Sequence, residues 1–322
     1  VQCIGHVRFF RDDEMKPTIK CNDNLEELKK LSSESVDLIY IDPPFFTQKN
    51  WKDFDDTWDS MDDYLEFMRP RIEEFHRILK PTGSFYLHAD WHADSYLRMV
   101  CDDVFKPENL LSPITWQRSR GHALARGFDK VTDSIFLYTK SNNFTFNQQY
   151  FSKHDDDFTH EEPETGRIFN HYSLEKSSNI KEGDKTRIID GKKVTTNLGW
   201  TWSQQTFDKK IKENPHVIYW TKNGKPRYKL YSDESKGKKI SNLWTDITML
   251  ASTSKERLGY ATQKPKTLLE RIIKTSSNEG DVVLDAFSGS GTTCDVAREL
   301  GRKSICIDKN QKACELMEDR LQ

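Results

Sequence analysis

Short apolar runs and amphipathic stretches alternate near the start and the end of the chain. The runs at 36–41 (VDLIYI), 84–88 (SFYLH), 282–287 (VVLDAF) and 304–308 (SICID) are bounded by turn residues. That is the pattern of strands buried on both faces of a parallel sheet. Between them lie stretches with helical spacing at 25–31, 62–79, 92–104, 267–277, 294–301 and 313–321. Asn22-Asp23-Asn24 stands before the first as a cap, and Lys80-Pro81-Thr82-Gly83 closes the second. Further strands are predicted near 112–116 and 133–139. Strands alternating with helices predict an α/β fold with a mostly parallel, doubly wound sheet.

The alternation lapses from about 117 to 243. Polar residues and loop signals dominate there, and the α/β pattern resumes after Trp244. The expected organisation is therefore 1–116 and 244–322 as two halves of one domain, with 117–243 inserted. No internal repeat is present.

With 322 residues the chain is long enough for one large core or a core with a smaller lobe. The apolar runs are too short to cross a membrane, and the first residues carry Arg and acids where a signal peptide needs an apolar stretch. A cytoplasmic protein is expected. The six cysteines (Cys3, Cys21, Cys101, Cys294, Cys306, Cys314) form no CxxC pair and no zinc-spaced cluster. They are expected to be reduced core residues, and no metal is expected. The net charge of −2 excludes a polycation but conceals local extremes. Residues 49–66 hold seven acids and two bases, whereas 204–240 hold ten Lys/Arg and four acids. Aromatics are interleaved with the second set, so that lobe reads either as a solvated insertion or as a surface for a polyanion.

Two turns carry the chemistry. Asp285-Ala286-Phe287-Ser288-Gly289-Ser290-Gly291-Thr292 links a strand to a helix. Its glycines allow close backbone approach to a ligand. Asp308 ends the next strand about twenty residues on, where an acid can take two ribose hydroxyls. The pattern is neither GxGxxG nor a P-loop, which favours a mononucleoside over a dinucleotide. The second turn, Asp42-Pro43-Pro44-Phe45, directly follows the strand at 36–41. Its groups suit methylation of an exocyclic amino nitrogen, a poor nucleophile. The Asp42 carboxylate and a carbonyl of the Pro43-Pro44 turn can accept the two N–H groups, orient the lone pair and stabilise the developing charge. Phe45, or alternatively Phe46, can stack on a flipped base.

With both turns in this order, the sequence resembles the beta-class DNA amino-methyltransferases, over residues 18–321. The resemblance implies a Rossmann-like domain with permuted motif order and a target-recognition insertion. It implies S-adenosyl-L-methionine as cofactor, lined by Asp23, Asn24, Lys264, Pro265, Asp285, Phe287, Ser288, Gly289, Ser290, Gly291, Thr292 and Asp308. Lys264 and Pro265 belong to the stretch Thr262-Gln263-Lys264-Pro265. Asp42, Pro43, Pro44 and Phe45 would be catalytic. An Asp rather than Ser at the first position implies N6 of adenine, with cytosine N4 as the alternative. Methylation of RNA or protein, or a catalytically inactive DNA-binding relative, are further alternatives. The implied partner is double-stranded DNA, contacted by Arg118, Arg120, Lys222, Lys225, Arg227 and Lys238. His122 and Arg126 flank the first two. The class also admits a homodimer, a cognate restriction endonuclease and association with the nucleoid.

Overall fold

The computed structural model describes residues 16–51, 53–121, 126–152, 157–176, 185–260 and 262–321. Cys3, the N-terminal residues weighed as a leader and His122 lie outside them. No helix among the described residues is long and apolar enough to cross a membrane.

The chain opens with β1 (Thr18–Cys21), α1 (Asn24–Lys30) and β2 (Val36–Ile41). Asp23 caps α1 by accepting from the Leu25 amide. Two short strands, β3 (Lys49–Asn50) and β4 (Asp55–Asp56), precede α2 (Met61–Ile78). Ser60 caps α2 through the Asp63 amide. Then follow β5 (Leu79–Ala89), α3 (Asp94–Phe105), β6 (Leu110–Gln117) and β7 (Thr132–Thr139). The middle of the chain forms β8 (His160–Glu161), β9 (Ile168–Ser173), β10 (Thr186–Ile189), β11 (Lys192–Thr195), α4 (Gln204–Glu213), β12 (Ile218–Trp220) and β13 (Pro226–Tyr231). The last part comprises β14 (Leu243–Trp244), α5 (Lys266–Ser276), β15 (Val282–Asp285), α6 (Thr292–Glu299), β16 (Lys303–Asp308) and α7 (Gln311–Leu321).

Eight strands form the main sheet in the order β1-β16-β15-β2-β5-β7-β6-β14. Pairing is parallel from β1 through β5, β7 runs antiparallel to both its neighbours, and β14 is parallel to β6. Successive residues of a strand point to opposite faces. Ile39 and Ile41 of β2 therefore join the core under α2 and α3, with Met68, Ile72, Phe75 and Leu97. Leu38 and Tyr40 join the opposite core under α5 and α6, with Leu269, Ile272 and Val296. Both faces are covered, which explains why these strands read as unbroken apolar runs.

Tyr150–Lys239 forms a second compact unit. The insertion thus begins and ends inside the expected limits of 117 and 243. The reason is β7: its alternating residues pair with β5 and β6, so 132–139 complete the main sheet. The second unit has a four-stranded antiparallel sheet, β12-β13-β9-β8, and the β10–β11 hairpin. Its own core contains Leu174, Ile189, Trp200, Phe207 and Ile218.

The cysteine expectation needs correction. Cys294 of α6 and Cys306 of β16 are joined by a disulfide, and Cys21 is exposed. Among the described residues, Cys101 and Cys314 are the buried free thiols. The pair comes together because α6 packs directly on β16, a tertiary contact that spacing alone does not reveal.

Leu284 is fully buried in β15, the strand that leads into the glycine turn and lies next to β2. Leu284→Ala should lower stability by about 2–5 kcal/mol, read from the shift of the urea unfolding midpoint at unchanged slope.

Candidate active site

The crossover after β15 leads through α6 to β16, and that after β2 leads through α2 to β5 on the other side. The loops diverge between β2 and β15, which is where open α/β sheets bind ligands. Neighbouring strands end there on carboxyl groups. Asp23 follows β1, Asp308 ends β16, Asp285 ends β15 and Asp42 follows β2. All four wall one open cleft.

The glycine turn forms one side. Gly289 has φ +50°, and a Cβ there would meet the Tyr260 ring at 2.9 Å. At Gly291, with φ +74°, a Cβ would meet Met317 at 2.6 Å. Both positions therefore exclude a side chain. Asp308 accepts from the amides of Gly289 and Asn310, each at 2.8 Å, leaving each oxygen a second lone pair. Burial raises its affinity for protons. Asp285 accepts from the Thr293 hydroxyl at 2.5 Å and the Phe287 amide at 3.0 Å. Burial, assisted by the charges of Asp42 and Asp308, nevertheless pushes its pKa up to about 7.

Asn24 donates to the Ala286 carbonyl at 2.7 Å, joining the α1 cap to the glycine turn. Arg71 donates to Asn24 at 2.6 Å and to Asp23 at 2.8 Å. Sequence reasoning missed Arg71, although helical spacing sets it beside Met68, Ile72 and Phe75 on the buried face of α2.

The opposite side is the turn after β2. Asp42 forms an ion pair with Lys264, through Oδ2. Its other oxygen, Oδ1, is buried and has no hydrogen-bond partner. Such an atom normally finds a donor, so its isolation is unusual. Lys264 also stands 5.4 Å from the Phe45 ring centroid. Beyond the prolines, Asp56 accepts from the amides of Phe46 and Thr47, each at 2.9 Å, and from the Thr47 hydroxyl at 2.6 Å. These bonds hold Phe46 at φ +63°. Phe46 turns to the core beside Tyr64, whereas Phe45 lines the cleft. The Tyr64 hydroxyl donates to the Pro44 carbonyl at 2.6 Å. Among the described residues no donor reaches the Pro43 carbonyl. Asp56 was unread within an acidic run, because its partners are backbone amides.

Behind Asp42 lies a buried polar chain. His88 has Nδ1 2.9 Å from the Tyr40 hydroxyl and Nε2 3.2 Å from Asp133 Oδ2. Arg118 donates to Asp133 Oδ1 at 2.9 Å. Burial favours a neutral Asp133, but the hydrogen bond to His88 and the neighbouring positive charges outweigh it and hold the carboxyl below its ordinary range.

Most residues read from sequence reach the cleft wall; Pro265 and Gly291 do not. Pro265 instead precedes the first turn of α5, and Gly291 starts α6. Arg118 is committed to Asp133, and Arg120 is exposed. In the second unit Lys222 and Lys238 are exposed. Lys225 pairs with Glu175, and Arg227 lies 3.2 Å from His171. Of the interleaved aromatics, Trp200, Phe207 and Tyr231 are buried in the lobe rather than presented on it.

A doubly wound α/β fold with the glycine turn facing the Asp42 turn across one cleft defines the class. Accordingly, a family model described as DNA methylase matches residues 36–319, and the chain belongs to that family. It is 30% identical to the type II methyltransferase M.HpaI of Haemophilus parainfluenzae, over 95% of this chain and 74% of that protein. It is 29% identical to the DNA adenine methyltransferase YhdJ of Escherichia coli K12, over 92% and 79% respectively. In structure it is similar to the PvuII DNA methyltransferase described as cytosine-N4-specific, with a TM-score of 0.55 and 15% identity over 95% and 86% of the two chains. It is also similar to M1.HpyAVI in complex with S-adenosylmethionine, with a TM-score of 0.52 and 16% identity over 95% and 98%. The enzyme is a DNA methyltransferase, and S-adenosylmethionine is its methyl donor. The cleft suits that cofactor: a side-chain-free turn, an acid at the adjacent strand end and a cation-compatible Asp285.

S-adenosylmethionine carries a net positive charge, so it is held better by a carboxylate than by a carboxylic acid. Asp285 takes up a proton as pH falls through about 7. Cofactor affinity should therefore weaken as pH is lowered from 8 to 6, measured by calorimetry, and Asp285→Asn should flatten that dependence. An unchanged wild-type affinity across the range would show that the ligand does not sense Asp285.

Proposed function

We propose that the enzyme methylates the N6 amino group of adenine in duplex DNA, at a specific site, after the base is flipped into the cleft. The observation that carries this reading is the buried, unpartnered Oδ1 of Asp42, one residue before a Pro43 carbonyl that no donor among the described residues reaches. Together they accept the two N–H groups of one exocyclic amine. Accepting both directs the nitrogen lone pair out of the base plane, toward the methyl donor. Phe45, at the cleft wall, offers a face for the base.

The cofactor supplies an electrophilic methyl group on a sulfonium. The protein's part is electrostatic and geometric. Asp42 faces the nitrogen on which positive charge develops, and Lys264 fixes the far oxygen of its carboxylate. The nitrogen attacks the methyl carbon directly, so no covalent enzyme intermediate is needed, and its surplus proton passes to solvent after transfer. The Asp at the first position of the turn and the adenine methyltransferase among the relatives favour adenine over cytosine. The second unit, with exposed Lys222 and Lys238, is assigned to DNA binding through phosphate contacts that position the duplex. Relatives named as type II methyltransferases and type III modification subunits support a companion restriction endonuclease.

Labelled S-adenosylmethionine and mixed-sequence DNA, digested to nucleosides, should yield N6-methyladenine by mass. N4-methylcytosine would overturn the adenine assignment. Asp42→Ala should reduce turnover by at least about 100-fold with cofactor affinity little changed, and full activity in that variant would remove Asp42 from the reaction.

A further inference from the structure

His88 is fully buried and touches no solvent, yet nothing in the methylation scheme above uses it. It faces Tyr40 from β2, Trp116 from β6 and Asp133 from β7, with Asp42 and Phe45 of the catalytic turn on the remaining side. Its Nδ1 is 3.8 Å from the unpartnered Oδ1 of Asp42, too far for a hydrogen bond but close enough to form one after a small shift. A donor at that nitrogen would compete directly with the substrate amine.

We propose that Asp133 is a positioning residue that fixes the His88 proton on Nε2, so that Nδ1 has none to offer and Asp42 Oδ1 stays vacant for the substrate. An ionised carboxylate accepts only, so the 3.2 Å contact requires a proton on Nε2. The Tyr40 hydroxyl, 2.9 Å from Nδ1, then donates to the ring's lone pair. Asp42 pairs with Lys264 and Asp133 with Arg118, so each carboxylate already has a cation of its own. Arg118 thus acts at one remove: it holds Asp133, which holds the tautomer. This inference rests on the reading of Asp42 as the amine acceptor.

The test is the imidazole ¹⁵N spectrum of the full chain, with His88 assigned by through-bond correlation to its backbone. The expected state is a neutral ring protonated at Nε2. An Nδ1–H ring or an imidazolium would overturn the proposal. In Asp133→Asn the amide can donate to Nε2 and move the ring proton to Nδ1. Turnover should then fall by about 100-fold, while KM for S-adenosylmethionine stays within about twofold, since no cofactor contact is lost. Wild-type turnover in this variant would contradict the proposal. If Asp133→Asn fails to fold, the wild-type spectrum still decides. Failure of the underlying reading is separate: it would appear as full activity in Asp42→Ala, whatever the tautomer of His88.

Discussion

The ion pair between Asp42 and Lys264 is the contact on which the site depends. Its partners are 222 residues apart in sequence, one on the turn after β2 and the other just before α5. The pair forms only if β2 and β15 are neighbours, because β15 follows α5 and sets where the segment carrying Lys264 returns. It also decides which oxygen of Asp42 is free. Lys264 occupies Oδ2, and the geometry of β2, β5 and β7 leaves Oδ1 buried without a donor. A buried acceptor left unpaired costs free energy of about 1–3 kcal/mol, which a bound amine would recover.

The same economy of position governs the cofactor side. Four adjacent parallel strands end in carboxyl groups at one edge, so their charges are crowded before any ligand arrives. Burial of Asp285 and Asp308 raises their proton affinity, while backbone amides and the Thr293 hydroxyl partly compensate. A cationic ligand relieves this crowding. Gly289 and Gly291 let Tyr260 and Met317 pack directly against the turn.

The central fold was legible because each strand of the parallel core is buried on both faces and announces itself as an apolar run. The two reactive turns were legible because Pro and Gly mark backbone constraints in the sequence itself. What escaped reading were partners set by tertiary contact. Arg71, Asp56 and Tyr64 hold the turns through bonds to residues far along the chain or to backbone groups, and no local pattern signals that. Lys264 was read as a cofactor contact, yet its strongest partner is Asp42. The insertion was read from 117, whereas the compact second unit starts at Tyr150, because β7 lies beyond a polar loop that resembles the lobe. The basic-aromatic stretch gave the right sign of charge, but its largest aromatics went to the lobe's own core.

The central claim is that Asp42 and Lys264 act as one unit in orienting the amine. A double-mutant cycle on turnover, with Asp42→Asn, Lys264→Met and the two combined, tests it most directly. The account predicts strong non-additivity, with the double variant about as slow as Asp42→Asn alone. Losses that simply multiply would contradict it and would show that Lys264 serves the reaction independently of Asp42.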